Sequence, residues 1–270
     1  MSARVTMERR LFLAIQEENE ETVRRILAEN PNVNVNWENE GRFYHGWTAL
    51  HKAIAEGYDR IVSLLLAHSE INVNQRDSDD VHGQTPFHWA CFSGMTSCAR
   101  LLLEDARVGN LNEPNNEGYT PLWNAASGGY LDVIKWWIAS GRDMDLGQPG
   151  NERTDAIGGA KIAGKTEVVA LFERFKEKPV ATRHHLRVEL GMIDEMAAEM
   201  FALVVFVSDG LLQISQTSTP ASQFFTIASQ LPLELQMVLC SRVAGSVEEM
   251  ILTNNSEVAF KALATKCWFA

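Results

Sequence analysis

Four cysteines in 270 residues, Cys91, Cys98, Cys240 and Cys267, form no Cys-x-x-Cys pair and no Cys/His metal spacing. So sparse a set would not staple a secreted domain of this size, which points to a reducing compartment. Basic residues are short as well: 24 Lys and Arg face 35 Asp and Glu, for a formal net charge of -11. The deficit runs through the chain, 19 basic against 26 acidic over residues 1–180 and 5 against 9 over 181–270. Without a stripe of Lys and Arg to displace phosphate counterions, a nucleic-acid partner is not expected. Long apolar runs are missing too. The most hydrophobic stretch, Met200–Val207, is bracketed by Glu199 and Asp209 and falls far short of the ~20 residues of a membrane helix, so it reads as buried helix and no membrane partner is expected. No signal-peptide core follows Met1–Arg10. The expected location is cytoplasmic, with the nucleus possible. No constellation of serine, cysteine or carboxylates makes a catalytic case, so neither an enzyme nor a cofactor or metal is expected.

What is present is a folded chain, 46% apolar and 22% charged, carrying a repeat. The pattern Gly-x-Thr-x-apolar occurs as Gly46-Trp47-Thr48-Ala49-Leu50-His51-Lys52-Ala53, as Gly83-Gln84-Thr85-Pro86-Phe87-His88-Trp89-Ala90 and as Gly118-Tyr119-Thr120-Pro121-Leu122-Trp123-Asn124-Ala125. The threonines stand 37 and 35 residues apart, and another glycine (Gly57, Gly94, Gly129) follows each of them by nine residues. An amphipathic run comes next each time, Arg60–Leu66, Cys98–Leu103 and Leu131–Ile138. Thr caps a helix start, Pro suits its first turn, Ala lets helices approach, and the Gly permits a tight turn into a second helix. Each copy therefore predicts a short helical hairpin joined to the next by an extended loop.

Period and signature together resemble the ankyrin repeat, whose unit of ~33 residues carries Thr-Pro-Leu-His-x-Ala. Ala49 stands where that family has Pro, and Trp123 where it has His. Two degenerate copies extend the register, one around Leu11-Phe12-Leu13-Ala14 with Val23, Ile26 and Leu27, the other around Asp155–Ala160 with Gly164, Val168, Val169 and Leu171. End repeats present one face to water, so loss of signature there is expected. The resemblance implies an all-α protein with an ankyrin solenoid of about five repeats in a domain over 1–180. It assigns His51 and His88 to loop backbone groups inside the array.

It further implies a non-enzymatic module that binds a protein partner by its loop tips and by the exposed side of each first helix. By register the tips offer Tyr44, His45, Trp47, Val81, His82, Gln84, Asn116, Glu117 and Tyr119, and the first helices Glu56, Phe92, Ser93 and Ser127. Trp and Tyr are common interface anchors. Tyr44, Trp47 and Tyr119 read equally as anchors or as rings folded onto neighbouring loops. The first loop, Trp37–Gly46, is the longest and mixes aromatic with charged groups. Asp77-Ser78-Asp79-Asp80 lacks the alternating ligands, middle Gly and terminal Glu of a calcium loop, and reads as an acidic loop that would steer a basic partner.

Two further segments invite other functions. Gly159-Ala160-Lys161-Ile162-Ala163-Gly164-Lys165-Thr166 matches the nucleotide-binding pattern Gly-x4-Gly-Lys-Thr in full, but the Gly- and Pro-containing run 147–155 before it cannot form the strand that pattern needs. In the repeat register Ala160 is the packing alanine and Gly164 the turn glycine. After Lys176-Glu177-Lys178-Pro179 the signature disappears, and a small non-repetitive helical domain is expected over 181–270. Its helices are expected at 184–212, bent at Gly191, then at 222–229, 233–243, 246–252 and 256–265. Leu231–Leu239 resembles the opening helix of an F-box, which would make residues 231–270 the docking segment of a ubiquitin-ligase adaptor; a plain helical cap or a dimerisation domain is the other reading.

Overall fold

The computed structural model describes residues 6–41, 43–78, 82–147, 154–193, 200, 202–205, 207, 220–231 and 233–244. Among the described residues the regular structure is helical. The chain divides into two compact units, Met1–Arg183 and His184–Ala270.

The first unit is a run of five helical hairpins. Their first helices are α1 (Met7–Gln16), α3 (Ala49–Ala55), α5 (Pro86–Ser93), α7 (Pro121–Gly128) and α9 (Ala156–Ile162). Their second helices are α2 (Glu20–Glu29), α4 (Asp59–Leu66), α6 (Thr96–Glu104), α8 (Leu131–Ser140) and α10 (Thr166–Glu177). First helices pack on first helices in chain order and second helices on second, so each hairpin touches mainly its neighbours. An oxygen-bearing side chain starts every first helix: Thr6, Thr48, Thr85, Thr120 and Asp155 accept the backbone N–H three residues on. The turn into each second helix passes through a left-handed residue, Gly57 (φ 77°), Gly94 (68°), Gly129 (81°) and Gly164 (69°), and in the first hairpin through Glu18 (54°).

The core lies between the two helix rows. Leu50, Ile54, Leu65, Leu102, Leu122, Ile134 and Phe172 are fully buried, and Trp137 stands edge-on to Phe87 at 4.9 Å. Burial of such a side chain contributes about 1.5–3 kcal/mol. Arginines tie successive hairpins together. Arg107, held by Asp105 at 2.7 Å, donates to Leu66 and His68 carbonyls at the end of α4. Arg142 does the same for Asp105, Val108 and Gly109 after α6, and Arg183 Nε donates to Ile138 O in α8 at 3.1 Å. Each places a cation at the negative end of a helix.

No linker separates α10 from the next helix: α11 (Pro179–Glu189) begins two residues later, with Pro in the first turn where its missing N–H costs nothing. α11 ends at Glu189, Gly191 takes φ 72°, and residues 192–193 are helical again, so the helix expected from 184 is interrupted at the glycine expected to bend it. In the second unit residues 202–205 are helical, followed by α12 (Pro220–Ala228) and α13 (Leu233–Ala244). Val204, Ala228 and Cys240 form its small buried core, with Met200, Val205, Phe224, Phe225, Met237 and Leu239 packed around them. The helices expected at 246–252 and 256–265 lie outside the described residues. No helix of the described residues is long and apolar enough to cross a membrane.

Candidate functional site

Three loop tips are closed by the same backbone bond, Asn39 N to Trp47 O, Asp77 N to Gln84 O and Asn115 N to Tyr119 O, each 2.9 Å. They are also joined to one another: Ser78 N donates to Gly46 O at 3.3 Å and Asn116 N to His82 O at 2.8 Å. The tips thus make a fixed rim beside the first helices.

His51 and His88 lock each tip to its helix. Thr48 N–H donates to His51 Nδ1 at 3.2 Å while His51 Nε2 lies 3.2 Å from Gln84 O in the next hairpin, which sets the neutral ring with its proton on Nε2. His88 Nδ1 accepts from Thr85 N–H at 3.3 Å in the same way. Burial holds both rings far down, to about 4, opposed at His51 by bonds to Gln84 and Gln75 and reinforced at His88 by the Arg76 charge. This is the role the signature implies for them.

Across the rim and the first helices of the first three hairpins runs a chain of aromatic rings. Phe12 lies 6.4 Å from Tyr44, Tyr44 5.1 Å from Trp47, Trp47 4.3 Å from Trp89, and Trp89 5.7 Å from Phe92. The chain is not closed over. Phe92 is 53% exposed and Tyr44 37%, with Phe43 at 79% on the rim. Trp89 donates its indole N–H to Asp77 Oδ2 at 2.8 Å, while Asp77 Oδ1 accepts Gln84 N–H at 2.8 Å. Lys52, only 3% exposed, sets its ammonium 3.9 Å from the Tyr44 ring centroid and 2.6 Å from Glu56. Burial pushes the Lys52 pKa down, but the bonds to Glu56 and Tyr44 and their charges outweigh it, so it stands above the ordinary lysine value.

Of the residues singled out by register, Tyr44, Trp47 and Phe92 belong to this chain, and Glu56 sits exposed beside it. His45, Asn116 and Glu117 are exposed at the rim, with Glu117 2.9 Å from His82. Ser93 and Ser127 are half-buried. Tyr119 folds onto Trp123 of its own hairpin at 4.6 Å, and Gln84 is buried inside the array. Val81 lies outside the described residues, as do Asp79 and Asp80 of the acidic loop. Register alone missed Trp89, Phe43 and Lys52. Trp89 and Lys52 occupy the variable position between His and Ala of the signature, a signal that was present in the sequence.

The residues of the nucleotide-binding pattern take the repeat positions expected for them. Its first glycine is inside α9, where a Cβ would stand 2.7 Å from Trp123 Nε1, so Gly159 makes room for that ring. Gly164 makes the left-handed turn, the Lys165 stem lies against Gly129, and Thr166 opens α10. Amides of 159–162 committed to a helix cannot cradle phosphate. Of the F-box-like segment, residue 231 and residues 233–244 are described, and the latter form α13.

Comparison with known proteins agrees with this architecture. The family model for ankyrin repeats, in three copies, matches residues 8–77 and 75–148. The chain belongs to the ankyrin-repeat family, an all-helical repeat solenoid built for protein–protein interaction. It is similar to the tyrosine-protein kinase HTK16 of Hydra vulgaris, 32% identical over 141 residues, which covers 51% of this chain and 17% of the kinase. It is 28% identical over 144 residues to the probable 26S proteasome regulatory subunit p28 of Saccharomyces cerevisiae, covering 52% of this chain and 60% of that subunit. A match of 30% over 155 residues to the SMC5-SMC6 complex localization factor protein 1 of Bos taurus covers 54% of this chain and 14% of that protein. The chain thus spans less than two thirds of each of these relatives.

Proposed function

We propose that the array holds a partner protein by the aromatic chain over its first three repeats, with Tyr44, Trp47, Trp89 and Phe92 as anchors and Phe43 at the edge. One observation carries the reading: large apolar rings are packed shoulder to shoulder yet left open, Phe92 53% and Tyr44 37% exposed. Contiguous exposed apolar groups of this kind mark interaction sites, and anchors of this type dominate interface energetics. His45, Glu56, His82, Asn116 and Glu117 supply the polar surroundings that such anchors usually have. The test compares what the intact chain and a Tyr44→Ala/Trp47→Ala/Phe92→Ala variant retain from a cell lysate, with circular dichroism confirming the fold. Proteins retained by the intact chain and lost by the variant support the face. An unchanged set moves the binding site elsewhere.

A second reading, a ubiquitin-ligase adaptor docking through 231–270, is favoured by the F-box-like opening, of which residues 233–239 lie in α13. It requires a Skp-like subunit to co-purify with the full chain. Loss of that subunit on Leu235→Glu would support it, and absence of the subunit from the full chain would end it.

A further inference from the structure

We infer that the segment taken by this aromatic face is basic, an arginine or lysine side chain of the partner seating on the rings and pairing with the carboxylates beside them; the inference rests on the reading of the face as the binding surface. The face already demonstrates the chemistry on itself. Lys52 is 3% exposed, and its ammonium is solvated by the Tyr44 ring at 3.9 Å and the Glu56 carboxylate at 2.6 Å. Ring plus carboxylate is therefore enough here to hold a nearly dehydrated cation.

Trp89, further along the chain, is prepared in a related way. Its indole N–H is bound to the buried Asp77 carboxylate, and a charge-assisted bond of that kind pushes electron density into the ring and makes its face a better cation acceptor. Trp89 is half-buried and adjoins the exposed Phe92. A cationic side chain with an apolar neighbour matches that pair better than a neutral one.

The charges near the rings have one dominant sign. Glu18 after the end of α1 and Glu56 at the end of α3 are exposed, and Lys52 offsets one of them. Tyr58 registers the sum: burial raises its phenol first, and the Glu56 and Glu18 charges raise it further against the opposing pull of Lys52. Residues 1–180 as a whole carry 26 acidic against 19 basic groups. An acidic segment would be repelled on approach, whereas a basic one is drawn in.

Selection of random short peptides on phage against the immobilised full chain tests this directly. The expected winners carry Arg or Lys beside an aliphatic or aromatic residue and are lost on Phe92→Ala. In a synthetic winner, Arg replaced by citrulline or Lys by norleucine is expected to weaken binding about tenfold, and raising salt from about 0.05 to about 0.5 M to weaken it several-fold. Winners that need Phe92 but carry no cation, or that bind equally with citrulline or norleucine, overturn the charge inference and leave the face standing. Winners indifferent to Phe92→Ala and to Tyr44→Ala/Trp47→Ala overturn the face itself. Selection of no peptide above background overturns the inference as well.

Discussion

Glu18 occupies the left-handed turn that glycine fills in the other repeats, at φ 54°. A side chain in that conformation costs about 1–2 kcal/mol, while glycine's extra freedom in the unfolded chain returns about 0.5–1 kcal/mol. Glu18→Gly is therefore expected to raise stability by roughly 0.5 kcal/mol, read as a higher urea midpoint with unchanged slope. A lowered midpoint would mean that the Glu18 side chain stabilises the first turn by more than the strain costs. At this scale the sequence was legible where one residue type has one use, as with the Thr caps and turn glycines. It was less legible where exposure decides. Tyr119 and Phe92 are both aromatic and both lie near the rim, yet Tyr119 finds Trp123 to stack on while Phe92 projects past Trp89. Which ring finds a neighbour depends on side chains some distance away in sequence, and a register position does not contain that information.

The elements follow from period 3.6 and the caps, so the five hairpins could be placed from sequence, including the two that lost their signature. What the pattern hid was the compensation at the far end of the array. Trp123 replaces the linking histidine and reaches the next repeat by donating its indole N–H to Thr154 Oγ1 at 3.1 Å. The larger ring then needs the space of a missing side chain at Gly159, 2.7 Å from Trp123 Nε1. A glycine that mimicked half of a phosphate loop is thus a packing partner thirty-six residues away. Gly159→Ala is expected to cost about 1–3 kcal/mol, since a rigid indole cannot yield to an added methyl as a flexible chain could. Replacing the ring as well, Trp123→His with Gly159→Ala, is expected to recover most of the loss and to give a coupling of at least about 1 kcal/mol in a double-mutant cycle. Additive losses would show that the glycine serves the helix and not the ring. In the second unit the helices expected at 222–229 and 233–243 are found at Pro220–Ala228 and Leu233–Ala244, and the interruption after Glu189 falls at Gly191, the one residue that breaks the apolar spacing.

For the molecule as a whole, stability in a repeat array is close to a sum over repeats and the interfaces between neighbours. His51 and His88 sit at two consecutive central interfaces, so their titration bears on the entire array. Burial holds each folded pKa at about 4, against about 6.5 in the unfolded chain. Between those values the unfolded chain takes up protons that the folded array refuses, so stability rises with pH across the window. The contribution is present in full above about pH 6.5, declines as pH falls, and is lost by about pH 4, amounting to roughly 3 kcal/mol for each ring. Urea midpoints measured at pH 7, 6 and 5 are expected to fall in step, with the two central interfaces giving way before the ends. A His51→Gln/His88→Gln variant is expected to start from a lower midpoint and to show a much flatter pH dependence, because the protons it no longer binds on unfolding are the ones that set the slope. A wild-type midpoint that does not move between pH 7 and pH 5 would mean that both rings stay as basic in the folded array as in the unfolded chain, which their burial beneath the loop carbonyls does not allow.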